Sequence, residues 1–343
     1  MKVTTYSHPD GRRSRLLLIP LLLIWYNLTF SQIMTVNGTI PLDDMGLSLI
    51  HEHVMVDWIG ADSTGYQRWD RDKVVKRTTP FLEEAKARGV NTFIDCTPAY
   101  LGRDPYVLRE LSNITGMNIL TNTGFYGARN NKYIPKNMES MQAEKWADIW
   151  LNEFHNGIDN SGIRPGFIKI SVDGEAELST MHKKIIKAAA ITHLGSGLTI
   201  VSHTGPDEPA MAQLRILKEM GVSPAAFVWT HAQGGTFDGY EEAVAQGAWV
   251  SLDHISEEKD RIEWFVETLL RCKENDMLDH ILISHDSGWY TVGEPSGGDF
   301  RGYTSLFEKL IPALRNEGFS KQEISRLLVE NPKHAYAIGV RKL

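Results

Sequence analysis

Between Gly46 and the C-terminus, short apolar runs alternate with helical patterns eight times, and this alternation constrains the fold more than any other feature of the chain. The runs cover Gly46–Val54, Val90–Cys96, Asn118–Gly124, Gly166–Val172, Gly197–His203, Ala226–His231, Ala248–Asp253 and His280–His285. Helical patterns over Asp72–Arg88, Arg103–Thr115, Lys136–Phe154, Thr180–His193, Glu208–Met220, Gly239–Ala245 and Glu257–Lys273 separate them, and helices fill the chain from about Tyr303 onward. Gly89 and Gly116 stand where a left-handed residue would end a helix. Strand followed by helix, repeated, implies a parallel sheet with right-handed crossovers. Eight such units predict an α/β chain folded as a closed (β/α)8 TIM barrel, with an open doubly wound sheet as the competing arrangement.

The N-terminus has a different character. Arg12, Arg13 and Arg15 precede the apolar run from Leu16 to Trp25, which is short for a bilayer span. Residues 1–31 therefore read as a signal peptide cleaved after Ser31, leaving residues 32–343 as a single exported domain, periplasmic or secreted, with no membrane span. The net charge of −7 and the lack of a basic stripe argue against a nucleic-acid partner. The two cysteines, Cys96 and Cys272, are too few for a disulfide framework, and whether they pair cannot be read from the sequence.

In a barrel of this kind the chemistry sits at the C-terminal ends of the strands. On a strand, residues i and i+2 share a face, so His51 and His53 project together and Glu52 projects the opposite way. Two imidazoles side by side on a rigid strand make half of a metal site. Alone, such a pair is as consistent with two hydrogen-bonded core histidines. The other strands add weight: Lys169 lies on the fourth, His203 ends the fifth, His231 ends the sixth, and the eighth runs into Asp286. Phe167, Lys169 and Ser171 share one face and Ile168, Ile170 and Val172 the other, so a helix-packed isoleucine face turns Lys169 into the barrel. A buried unpaired ammonium is costly, whereas a neutral amine beside metal ions can take up CO₂ and become a carbamate. His285 points away from this face and is not expected among the ligands.

The segment Gly46–Val54 resembles the His-Glu-His signature of the phosphotriesterase family of the amidohydrolase superfamily, with Ser48 where Thr is usual. Gly166–Lys169 is similar to the family's carbamylated-lysine segment, and the resemblance extends from about Met34 to Ile338 through Thr97–Asp104, Thr123–Tyr126 and Asn331–Pro332. It implies a metal-dependent hydrolase with two divalent ions, usually Zn²⁺. His51, His53 and Asp286 would hold the more buried ion and His203 and His231 the more exposed one. Lys169, as N6-carboxylysine, and a hydroxide would bridge them. Asp286 would take the proton of the attacking hydroxide. The implied substrate is a small ester, lactone or organophosphate, with Tyr100, Tyr126 and Trp289 as candidate pocket residues, and the resemblance leaves room for a homodimer. The acidic pair that the family places after the sixth-strand histidine is replaced here by Ala232-Gln233-Gly234-Gly235, so His254, the family's proton-relay histidine, lacks its partner. The rival readings are an amidohydrolase acting on an amide or cyclic imide, and a barrel retained as a non-catalytic ligand-binding module.

Overall fold

A computed structural model describes residues 1–5 and 31–343; the leader-like run lies outside the described residues. The body from Ser31 to Leu343 is a (β/α)8 barrel. Its strands are β1 (Ser48–Val56), β2 (Thr92–Asp95), β3 (Asn118–Leu120, continued by Asn122–Thr123), β4 (Phe167–Ser171), β5 (Ile200–His203), β6 (Phe227–Thr230), β7 (Trp249–Asp253) and β8 (Ile281–Ser284). Neighbours from β1 to β8 pair in parallel and in chain order. The ring closes where β8 meets β1. There Asp286 N donates to His51 O at 3.0 Å and His53 N donates to Ser287 O at 2.9 Å. A short extension, Gly288–Thr291, then continues in parallel beside β1.

Alternation along each strand builds two apolar layers. Ile94, Leu120, Phe167, Val201, Val228, Trp249 and Leu282 fill the barrel interior. Leu49, Phe93, Ile119, Ile168, Ile170, Ile200, Val250 and Ile283 face the surrounding helices. Because Ile168 and Ile170 belong to the outer layer, Lys169 between them points inward, where it is 1% exposed. Trp146 and Trp150 are fully buried on one face of the helix Ala143–Asn156 and pack edge-on against Phe125. A hairpin of Gln32–Thr35 with Gly38–Pro41, absent from the strand pattern above, brings Ile33 under the barrel, and Tyr336 closes the same end with its hydroxyl on Ile50 O at 3.1 Å.

Three expected elements differ in detail. The third strand is interrupted at Thr121: its first half pairs with β2 and its second with β4, and Thr121 O accepts from Gly166 N at the change-over. The pattern over Lys136–Phe154 breaks into Lys136–Glu139 and Ala143–Asn156, since the turn at Ser140–Gln142 leaves only a short first piece. In β1 the register against β2 shifts between Leu49 and Glu52, which admits one extra residue. This bulge lets Ile50 stay in the interior layer while His51 and His53 also face the strand mouth. Cys96 and Cys272 are both buried free thiols. Among the described residues no helix is long and apolar enough to cross a membrane.

Candidate metal centre

The strand ends bring His51, His53, Lys169, His203, His231 and Asp286 to one cavity of about 350 Å³, walled by Trp58, Leu101, Tyr126 and Trp289 among others. Three of the four histidines are held by a partner behind the ring. Asp253, at the end of β7 and 0% exposed, sits between two histidines: Oδ2 lies 2.6 Å from His51 Nδ1 and Oδ1 lies 2.9 Å from His231 Nδ1. Burial opposes its charge, but the imidazoles of His231 and His51 hold the carboxyl well below the usual carboxylate range. An ionised carboxylate only accepts, so both Nδ1 atoms carry a proton and both Nε2 atoms face away from Asp253. Burial opposes the His231 charge, but Asp253 raises its pKa above the ordinary value.

His53 is fixed by a different device with the same result. Thr97 Oγ1 donates its one proton to Met55 O at 2.9 Å, so it must accept from His53 Nδ1 at 2.8 Å. Asp95 sets this corner, taking Val54 N at 2.7 Å and Thr97 N at 3.0 Å. Burial pushes the Asp95 carboxyl up to about 6. Three imidazoles thus keep Nδ1 on a fixed partner and turn Nε2 away from it. Burial and the nearby Lys169 charge push His51 down to about 4, and burial with the His231 and Lys169 charges lowers His203 well below its ordinary value. Both are neutral at pH 7, the state that binds a metal.

His51, His53 and Asp286 offer ligand atoms all within 4.8 Å of one another. Asp286 Oδ1 stands 3.1 Å from His53 Nε2 and 3.8 Å from His51 Nε2, yet makes no well-formed hydrogen bond. Burial opposes its charge as well, but His53, His51 and His231 hold it below the usual range. Two ring nitrogens and a carboxylate oxygen thus converge on one point, the arrangement a cation site requires. The grouping of His51, His231 and Asp253 is equally tight but different in kind, because its short contacts are Nδ1–H donors on a carboxylate. His203 and His231 stack edge to face at 4.2 Å between ring centres, and the Tyr126 hydroxyl lies 3.2 Å from His203 Nε2. Lys169 Nζ is buried without a hydrogen-bond partner among the described residues. A buried lysine nitrogen with no partner, beside the neutral His51 and His203, is the chemistry of a group completed by something else. His51, His53 and Asp286 fit a divalent cation of the kind N and O ligands favour.

Of the other expected residues, Trp289 lines the cavity and stacks on His53 at 3.9 Å, with its Nε1 donating to Asp286 O at 3.0 Å. Tyr100 does not line it. Its backbone is left-handed (φ 63°), which turns the ring into a neighbouring cavity with Tyr66 and Trp69 and leaves Leu101 in the wall. His254 is half-buried and also outside the cavity lining; burial and the Arg261 charge lower its pKa. His285 stays out of the cluster as expected. Its Nε2 accepts from Leu306 N at 3.0 Å and its Nδ1 reaches Glu52 Oε1 at 2.7 Å. Glu52 also takes Ser284 Oγ and the backbone N–H groups of His285 and Ser287, so the middle residue of His-Glu-His ties down the loop that carries Asp286. Asp253 was not singled out from the pattern as a support for two histidines, although Ser251 and Asp253 share the inward face of β7. Arg129 and Arg301, which also line the cavity, come from loops that no periodicity marks.

Gly288 holds the seam in place. It adopts φ 102°, and a Cβ there would run into His53 O and the Tyr303 hydroxyl that donates to it. Gly288→Ala is expected to cost about 2–5 kcal/mol, from the left-handed backbone and the forced overpacking. A thermal midpoint within error of wild type would contradict this.

The sequence profile of the Phosphotriesterase family matches residues 31–336. A "Phosphotriesterase homology protein" of Mycobacterium tuberculosis is 29% identical over 319 residues, covering 88% of this chain and 96% of the relative. An aryldialkylphosphatase of Saccharolobus solfataricus is 27% identical over 318 residues, covering 88% and 98%. Among solved structures, a triple mutant of an organophosphorus hydrolase from Deinococcus radiodurans superposes with a TM-score of 0.79 at 25% identity, covering 89% of this chain and 97% of that one.

Proposed function

Because the chain belongs to the phosphotriesterase family and is a hydrolase acting on ester bonds, we propose that it opens a lactone or carboxylic ester at a two-metal centre, with phosphotriester cleavage as a lesser activity. The observation that carries the metal assignment is the buried, partnerless Lys169 nitrogen beside the neutral His51 and His203. His51, His53 and Asp286 would hold one cation, His203 and His231 the other, and carbamylated Lys169 would join them. When bound, the cations supply Lewis acidity and make water acidic enough to attack at neutral pH.

The protein's own groups do the rest. Asp286 accepts the proton of the attacking water, and its loop is fixed by Glu52 and by the Trp289 indole on its carbonyl. Trp58, Leu101 and Trp289 offer an apolar wall that dries the site. The substrate preference follows from proton traffic. Gly234 places no acid beside His254, so no oriented relay carries the Asp286 proton outward. Opening a lactone or ester returns that proton to the leaving alkoxide inside the cavity, where the relay is dispensable.

Kinetics on zinc-loaded protein test this. For some lactone or carboxylic ester, kcat/KM is expected to exceed that for an activated phosphotriester by at least about tenfold, roughly 1.4 kcal/mol of transition-state stabilisation. Chelation should abolish both activities. A phosphotriester cleaved faster than every lactone and ester tested would overturn the preference, and full activity after metal removal would overturn the mechanism.

A further inference from the structure

Two arginines stand at the cavity with no carboxylate to pair with among the described residues. Arg129 and Arg301 both line it, and both residues are exposed. Neither makes a salt bridge among the described residues, whereas Arg68, Arg71 and Arg103 are each paired with an acid. The chain is acidic overall, so this local pair of cations runs against its net charge of −7.

Neither arginine hangs from a loose loop. Arg129 has a left-handed backbone (φ 58°), and Asp173 Oδ1 pins its N–H at 2.6 Å. Its guanidinium lies 4.9 Å over Trp58, which stacks on Trp289 at 5.4 Å, which in turn stacks on His53. Arg301 is fixed through its own N–H on Gly288 O at 3.0 Å, and its Nη2 donates to Asp286 O at 2.6 Å. One guanidinium thus rests on an aromatic stack ending at a cluster histidine, and the other on the carbonyl of the cluster carboxylate. Both line the cavity, and the Arg301 contact on Asp286 O uses one of its five guanidinium N–H donors. A planar guanidinium on a fixed stem is suited to hold an oxyanion through paired N–H donors.

We propose that the physiological substrate carries an anionic group, a carboxylate or a phosphate monoester, held by Arg129 and Arg301 while the scissile ester lies over the histidine cluster. This rests on the hydrolase reading above and adds a substrate class to it. The anion would sit on the Trp58 side of the mouth, away from Lys169, so that it orients the substrate and does not compete for the metals.

The test uses zinc-loaded protein and three γ-lactones of the same skeleton, bearing a carboxylate, a phosphate monoester or a neutral carboxamide. Two readouts run in parallel, kcat/KM and calorimetric binding. Wild type is expected to favour one anionic probe over the carboxamide, and the better of the two identifies the anion. In Arg129→Gln and Arg301→Gln that preference should fall by at least about tenfold, the size of a lost charge-assisted contact. High salt should weaken the preference in wild type. Equal use of the three lactones, or a preference untouched by both substitutions, would overturn the anion assignment and leave the hydrolase reading standing. Tight arginine-dependent binding of an anionic lactone without turnover would do the reverse.

Discussion

Lys169→Ala is expected to lower kcat/KM by about 10³-fold, because several kcal/mol of the catalysis at a two-metal site comes from holding both ions in place. Metal content should fall with it, from about two ions per chain to about one or fewer. The physical ground is the placement of the side chain between Ile168 and Ile170 of the outer layer, 1% exposed, with a partnerless Nζ. Added short carboxylic acids should recover part of the activity by standing in for the carbamate. Lys169→Met gives the control for packing: a lysine that only fills space would be replaced there with little loss of stability, activity or metal. If Lys169→Met keeps both ions and full turnover, Lys169 does not join the metals.

Asp253→Asn should weaken metal binding by about 10–100-fold, although Asp253 itself reaches no cation. Its two oxygens take His51 Nδ1, His231 Nδ1, the His231 N–H and Ser251 Oγ. An asparagine offers one oxygen and one NH₂ group, so one N–H donor meets another. The misplaced imidazole must change tautomer or swing away, and either response withdraws an Nε2 lone pair from the cavity. A buried donor left without an acceptor costs a further ~1–3 kcal/mol. Metal titration followed by activity at saturating zinc separates the two effects: affinity should fall most, with turnover partly regained when metal is forced in. Unchanged zinc affinity would show that the two histidines are oriented by something other than this carboxylate.

The fold and most of the cluster were legible because both follow from period-two alternation. Lys169 could be turned inward from Ile168 and Ile170 alone, and His203, His231 and Asp286 stand at or just beyond strand ends that the apolar runs already bound. What escaped depends on contacts between distant parts of the chain or on single backbone angles. Asp253 meets His51 across 202 residues, and no local pattern announces that partner. The bulge in β1 appears only when β2 is laid beside it. Tyr100 and Leu101 exchange roles through one left-handed residue, and Arg129 lies on an irregular loop, also at positive φ. Gly288, by contrast, could have been suspected as a close approach, but not the carbonyl it approaches.

The line where β8 meets β1 has a consequence for how the protein lives. His51, His53 and Asp286 sit on the backbones whose hydrogen bonds close the ring. Cation capture and ring closure therefore draw on the same few residues, and any ion bound only by the closed form lends its binding free energy to that closure. A metal held here would act as a clasp as well as a reagent. Newly made chains starved of the metal would part first along this line, exposing two strand edges and the interior layer between them. The amides of His53 and Asp286 would then exchange with solvent much sooner than those of β5 and β6 on the far wall. Quality control by proteases would thus read metal status directly, with no dedicated sensor.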